Sequence, residues 1–161
     1  MSVLALAGFL GGTGIAAAFG AAAGGGAQGD WYRSLRKPPF NPPGWVFGPV
    51  WSVLYVPMAV SAWRVWHKQP REERAQGLRR WALQLALNAA WSPLFFRLRA
   101  TRLALADIAV LWAAIALYAN KARAVDRTAA LLMVPYLLWV SFASLLNEEV
   151  VRRNRPSAGA A

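Results

Sequence analysis

Three runs of the chain space tryptophan and carboxamide side chains at steps of three and four. Trp81, Gln84, Asn88, Trp91 and Phe95 form one series, Pro135, Trp139, Ala143 and Asn147 a second, and Phe47, Trp51, Tyr55 and Ala59 a third. A helix gathers residues at such steps onto one face. Indole rings offer broad apolar faces with one N–H donor, and carboxamides offer donors and acceptors together. That combination suits recognition of a flat aromatic molecule by stacking and a few hydrogen bonds. It does not supply the acid, base or nucleophile that most enzymes need. Cysteine is absent and the one histidine, His67, falls between apolar runs, so thiolate chemistry and axial haem ligation within those runs are excluded.

The three series lie within apolar blocks at 3–23, 44–66, 81–98, 103–120 and 129–147. Each block holds roughly 17–23 residues, enough as helix to cross a hydrocarbon layer of about 30 Å. Hydrophobic residues make up 57% of the chain and charged residues 16%, with mean hydropathy +0.31. A run such as "LALADIAVLWAAIALYA" has no polar face to turn to water, which argues against a soluble bundle. The expected fold class is therefore an all-α integral membrane protein, a five-transmembrane-helix bundle forming one domain over 1–161, with the lipid bilayer as its first partner. The first block lacks a basic leader and is longer than a signal-peptide core, so it reads as a retained span. Its Gly8, Gly12, Ala16, Gly20 and Gly24 recur every four residues, a stripe that admits a close neighbouring helix.

The net charge is +11, yet the basic residues are spread over every loop and the tail. Anionic lipid headgroups fit that spread and nucleic acid does not. Eight Lys or Arg fall in the loops on one side and nine on the other, so charge asymmetry fixes no orientation.

Amides at bilayer depth are costly against lipid and should face inward. Asn88 then serves as a helix–helix anchor or a ligand contact, and Asn147 as either of these or as a partner for backbone carbonyls. Trp45, Trp63, Trp66 and Trp81 lie near block ends, where an interfacial belt explains them. Trp51, Trp91 and Trp139 lie deeper. Asp107 is the one acid well inside a block, and its carboxylate is expected to pair or hydrogen-bond at an inner face. Between the first two blocks, the 24–43 segment carries Pro38, Pro39, Pro42 and Pro43, which stiffen the chain and bar a helix around them, as either a lid over a bundle mouth or an inert interfacial loop with proline as a helix stop would require. The 148–161 segment reads as a basic tail.

The stretches "WYRSLRKPPFNPPGWVFGPVWSVLY", "QLALNAAWSPLFF", "ALADIAVL" and "PYLLWVSFASLLN" together resemble the TspO/MBR family, the tryptophan-rich sensory and translocator proteins. The resemblance covers about residues 5–155. It implies five transmembrane helices, a homodimer, and a pocket under the first loop for porphyrins, sterols or benzodiazepine-type ligands. It assigns ligand contact to Trp51, Asn88, Trp91, Trp139 and Ala143, with Trp31, Lys37 and Asn41 in the covering loop. Tyr55, Leu146 and Asn147 complete the candidate set. No cofactor is obligatory, a porphyrin or haem-type ligand is implied, and the location is a bacterial cell membrane. Alternatives are light-driven porphyrin breakdown at Trp51 and Trp139, and a proton-coupled transporter using Asp107. Two departures stand out. Glu148 occupies the tyrosine position of the cholesterol motif of mammalian members, and Leu103 replaces a pocket-edge tryptophan.

Overall fold

The computed structural model describes residues 3–24, 29–68 and 70–155. In chain order the helices are α1 (Val3–Gly24), α2 (Asp30–Ser34), α3 (Phe47–Lys68), α4 (Arg71–Ser92), α5 (Thr101–Val125), α6 (Arg127–Leu131) and α7 (Val134–Arg153). Among the described residues there is no strand. Four stretches are long and apolar enough to cross a membrane: Val3–Ala22, Gly44–Lys68, Thr101–Val125 and Arg127–Arg153. The fifth long helix, α4, has 22 residues but opens on "REERAQGLRR", which takes it below that threshold.

Several boundaries differ from the expected ones. Pro70 stands at the N-terminal end of α4, so most of the supposed 67–80 loop is helix, built from polar but helix-favouring residues. The last block is broken at 132–133 before Pro135, which sits in the first turn of α7 where its missing N–H costs nothing. That same helix runs on to Arg153, taking in the first half of the supposed tail; residues 156–161 lie outside the described residues, as do 25–28 of the lid segment.

Packing follows the small-residue stripe of α1 in part. Phe9, Thr13 and Ala16 are buried, and a Cβ on Gly12 would lie 3.0 Å from the Trp81 ring. Gly8 faces open space. Trp81 is thus a packing residue, not an interfacial one: it is 8% exposed and meets Phe9 edge-on at 5.1 Å. Tyr136, Met58, Leu111, Ile115 and Met133 form the centre of the bundle, while Val3, Leu4, Ile15, Leu117 and Leu138 point outward, as lipid-facing residues should.

The α4–α5 hairpin closes through a π-helical turn at Pro93–Arg97. The Ala100 N–H donates to the Leu94 carbonyl at 3.0 Å, six residues back, with Arg99 between them at φ 55°. Glycine usually fills that left-handed position, where a Cβ costs roughly 1–2 kcal/mol. Arg99 stays, and its guanidinium lies 5.7 Å from the Trp31 ring. Arg99→Gly and Arg99→Ala both lose that contact, but only Ala keeps the strain. The Gly variant should therefore be the more stable by about 1 kcal/mol in detergent-unfolding titrations.

Candidate functional site

The inner faces of α1, α3, α4, α5 and α7 line a cavity of about 570 Å³, partly covered by the 29–43 loop through Tyr32 and Asn41 and open beside the exposed Ala18, Ala21, Gly48 and Ser52. Its walls are aromatic. Trp51 stacks on Tyr55 (5.6 Å, 29°) and stands at a right angle to Trp139 (6.5 Å). Trp91 stacks on Phe95 (5.0 Å, 21°), beside the ring of Tyr32 from the covering loop. Helix α1 contributes only Ala17, Ala18, Gly20 and Ala21, so one wall is flat.

The amides of the cavity wall are already engaged. Tyr55 donates its hydroxyl proton to Asn88 Oδ1 (2.9 Å), and Asn88 Nδ2 donates to the Tyr136 hydroxyl (3.0 Å). Trp91 Nε1 donates to Asn147 Oδ1 (3.1 Å), whose Nδ2 donates to the Thr101 carbonyl (2.9 Å). Each carboxamide thus crosses between helices and fixes an aromatic wall residue in place. Trp139 differs: its Nε1 is buried and has no partner among the described residues.

Of the expected site residues, Asn41, Trp51, Tyr55, Asn88, Trp91, Trp139, Ala143, Leu146 and Asn147 line the cavity. Trp31 and Lys37 do not. Trp31 packs edge-on against Phe95 at 5.9 Å from outside the lining. Lys37 folds back, donating to the Arg33 and Leu35 carbonyls (3.2 and 3.0 Å) with its ammonium 4.7 Å from the Tyr32 ring. It satisfies carbonyls left unpaired at the end of α2, so its charge is spent on loop structure. Asp107 also lies off the lining, and its Oδ2 is buried without the expected partner among the described residues. Leu103 is 54% exposed on the outer face and does not edge the cavity, so its identity bears on lipid contact rather than on ligand choice. Pro135, grouped with the inner face of the last block, is exposed.

Residues that sequence spacing does not single out include Tyr32, Phe96, Ile108 and Leu111. Tyr32 neighbours Trp31 in sequence and both rings meet Phe95, but only Tyr32 reaches the cavity lining. Burial raises the Tyr32 hydroxyl pKa, partly offset by its hydrogen bond to Asn41 (3.5 Å). No group of three or more His, Cys, Asp or Glu side chains is placed to hold a metal among the described residues.

The profile of the TspO/MBR family matches residues 4–153. The chain is 41% identical over 128 residues to the tryptophan-rich protein TspO of Chlorobaculum tepidum, covering 77% of this chain and 79% of that one. It is 41% identical over 133 residues to the tryptophan-rich sensory protein of Cereibacter sphaeroides, covering 81% and 82%. It is also 40% identical over 126 residues to the human translocator protein, covering 77% and 75%.

Proposed function

The chain belongs to the TspO/MBR family, and from that premise we propose that it is a membrane receptor or carrier for porphyrins and other flat hydrophobic molecules, held beneath the 29–43 loop. The observation that carries this reading is the cavity of about 570 Å³ with the indoles of Trp51, Trp91 and Trp139 in its wall. Such a volume falls within the range that takes drug-sized ligands, and dispersion against indole grows with the area of a flat ring. The names of the relatives, sensory protein and translocator protein, agree with a ligand that is sensed or carried. On the same premise α4 is the fifth span, with its charged first turns outside the bilayer, and the bundle pairs as a homodimer.

Specificity rests on the pattern of free and occupied polar groups. Asn88 and Asn147 hold the wall together, so they are scaffold for the aromatic rings. Among the cavity-lining residues, Trp139 Nε1 is a buried donor without a partner among the described residues, and a small turn of its ring would present it to a hydrogen-bond acceptor on a ligand's edge. Porphyrin propionates and carbonyl-bearing aromatics meet that requirement. Glu148, exposed on α7 outside the cavity, leaves sterol binding through the cholesterol motif unsupported.

Titrating protoporphyrin IX against intrinsic tryptophan fluorescence in detergent tests the reading. Wild type should be quenched saturably, and Trp139→Phe should weaken binding about tenfold, the value of one well-made hydrogen bond. An aromatic ligand without acceptors should bind both forms alike. Absence of saturable quenching in wild type sinks the proposal.

A further inference from the structure

The loop that roofs the cavity is fastened to the end of α7 through a single side chain. Asn154, where α7 stops, accepts the Arg36 backbone N–H on Oδ1 (3.0 Å) and donates from Nδ2 to the Arg36 carbonyl (3.0 Å). The second Nδ2 proton goes to the Val150 carbonyl (2.8 Å), one turn back in α7. The carboxamide therefore imitates a strand neighbour: it pairs with both backbone groups of one residue 118 positions away and is itself oriented by its own helix. Only the backbone of Arg36 takes part in these bonds.

Among the described residues, these two are the hydrogen bonds that join residues 29–43 to a long helix. The other bonds of the segment are internal, such as Lys37 to Arg33 and Tyr32 to Asn41. The remaining seam includes ring contacts, Trp31 on Phe95, Tyr32 on Phe96 and Phe40 on Phe142 (5.9, 5.5 and 6.4 Å), and the Arg99 guanidinium over Trp31 (5.7 Å), contacts that tolerate sliding better than hydrogen bonds do. A stiff, proline-rich flap on an apolar seam with one directional tie is a lid and a latch.

We propose that Asn154 is a positioning residue whose pairing with the Arg36 backbone sets how often the roof lifts, and hence how fast a ligand exchanges with the cavity. This rests on the reading of the cavity as a ligand site. Neither Asn154 nor Arg36 lines the cavity, so the latch closes over an empty chamber and a filled one alike. Its loss then speeds association and dissociation by the same factor and leaves the equilibrium constant in place. Two solvent-accessible hydrogen bonds correspond to a factor of about ten.

The test is stopped-flow protoporphyrin IX binding to wild type, Asn154→Ala, Asn154→Asp and Arg36→Ala. Asn154→Asp removes both donors and sets a charge against the negative end of α7, so it should match the Ala variant. Both should show association and dissociation about tenfold faster with Kd within twofold of wild type, while Arg36→Ala should not differ from wild type. Unchanged rates, or a weaker Kd with only dissociation altered, overturn the latch. Because the chain has no cysteine, Ala143→Cys provides a readout that needs no ligand: maleimide should label it about tenfold faster when Asn154 is also Ala. Faster labelling with no porphyrin binding in wild type removes the ligand reading and keeps the latch; porphyrin binding with unchanged labelling does the reverse. In the unaltered protein the Arg36 amide should be protected from hydrogen exchange about tenfold or more, and an unprotected amide also overturns the proposal.

Discussion

Replacing Ala143 with Trp should abolish porphyrin binding, lowering affinity on the order of 100-fold or more. Ala143 sits on α7 one turn after Trp139 and one turn before Asn147, 9% exposed and facing the cavity. Its methyl group is what leaves room between the Trp139 ring and the Trp91–Asn147 hydrogen bond. An indole there would occupy the volume in which a flat ligand must lie, and every contact of the ligand with the aromatic walls would be lost together. Quenching titrations read the effect directly. Leu145→Trp provides the control, since Leu145 is 56% exposed on the outer face and an added ring there meets lipid. Equal loss in both variants would mean that the binding site is not this cavity.

The inward position of Ala143 is legible in the sequence because helical spacing alone sorts inside from outside. The same is true of Trp51, Asn88, Trp91, Trp139 and Asn147, each of which repeats at steps of three or four within a long apolar run. Periodicity fails where a segment is short or irregular. The single turn of α2 puts Tyr32 rather than Trp31 on the cavity, and nothing in "WYRSLRK" decides between them. The family resemblance assigns Lys37 to ligand contact, but the carbonyls it binds belong to the backbone two and four residues earlier and carry no sequence signature. Trp81 misleads for a related reason. An apolar block that begins at 81 suggests a membrane boundary, whereas the helix starts at Arg71 and puts Trp81 near its middle, against Gly12. Pairings across long separations leave no local pattern either. Asp126 and Arg64 lie 62 residues apart, and Asp126 sits in a segment that reads only as a basic connection.

That carboxylate controls the end of the bundle away from the cavity mouth. Asp126 Oδ1 accepts the Thr128 and Ala129 N–H groups (2.9 and 3.4 Å), capping α6, while Oδ2 accepts Arg64 and Lys68 (2.8 and 3.1 Å) from the last turns of α3. Burial works to raise its pKa. The two cations and two amides outweigh burial and bring it down to about 2 from an ordinary 3.8. A depressed carboxyl pKa means that the unfolded state takes up protons first on acidification. The stabilisation is therefore complete above about pH 5 and is lost as pH falls from 3.8 toward 2. Lys68 is 54% exposed and screened by water, so the pH-dependent part is about 1 kcal/mol. Asp126→Ala removes cap and ion pairs together and should cost about 2–3 kcal/mol at pH 7 in detergent-unfolding titrations. Asp126→Asn keeps the cap, since an amide oxygen accepts the same N–H groups, and should cost about 1 kcal/mol. The difference between wild type and the Asn variant should shrink to nothing as pH drops through that window. A difference that stays constant from pH 7 to pH 2 would show that the charge of Asp126 contributes nothing, and that its hold on α3 and α6 is a matter of shape.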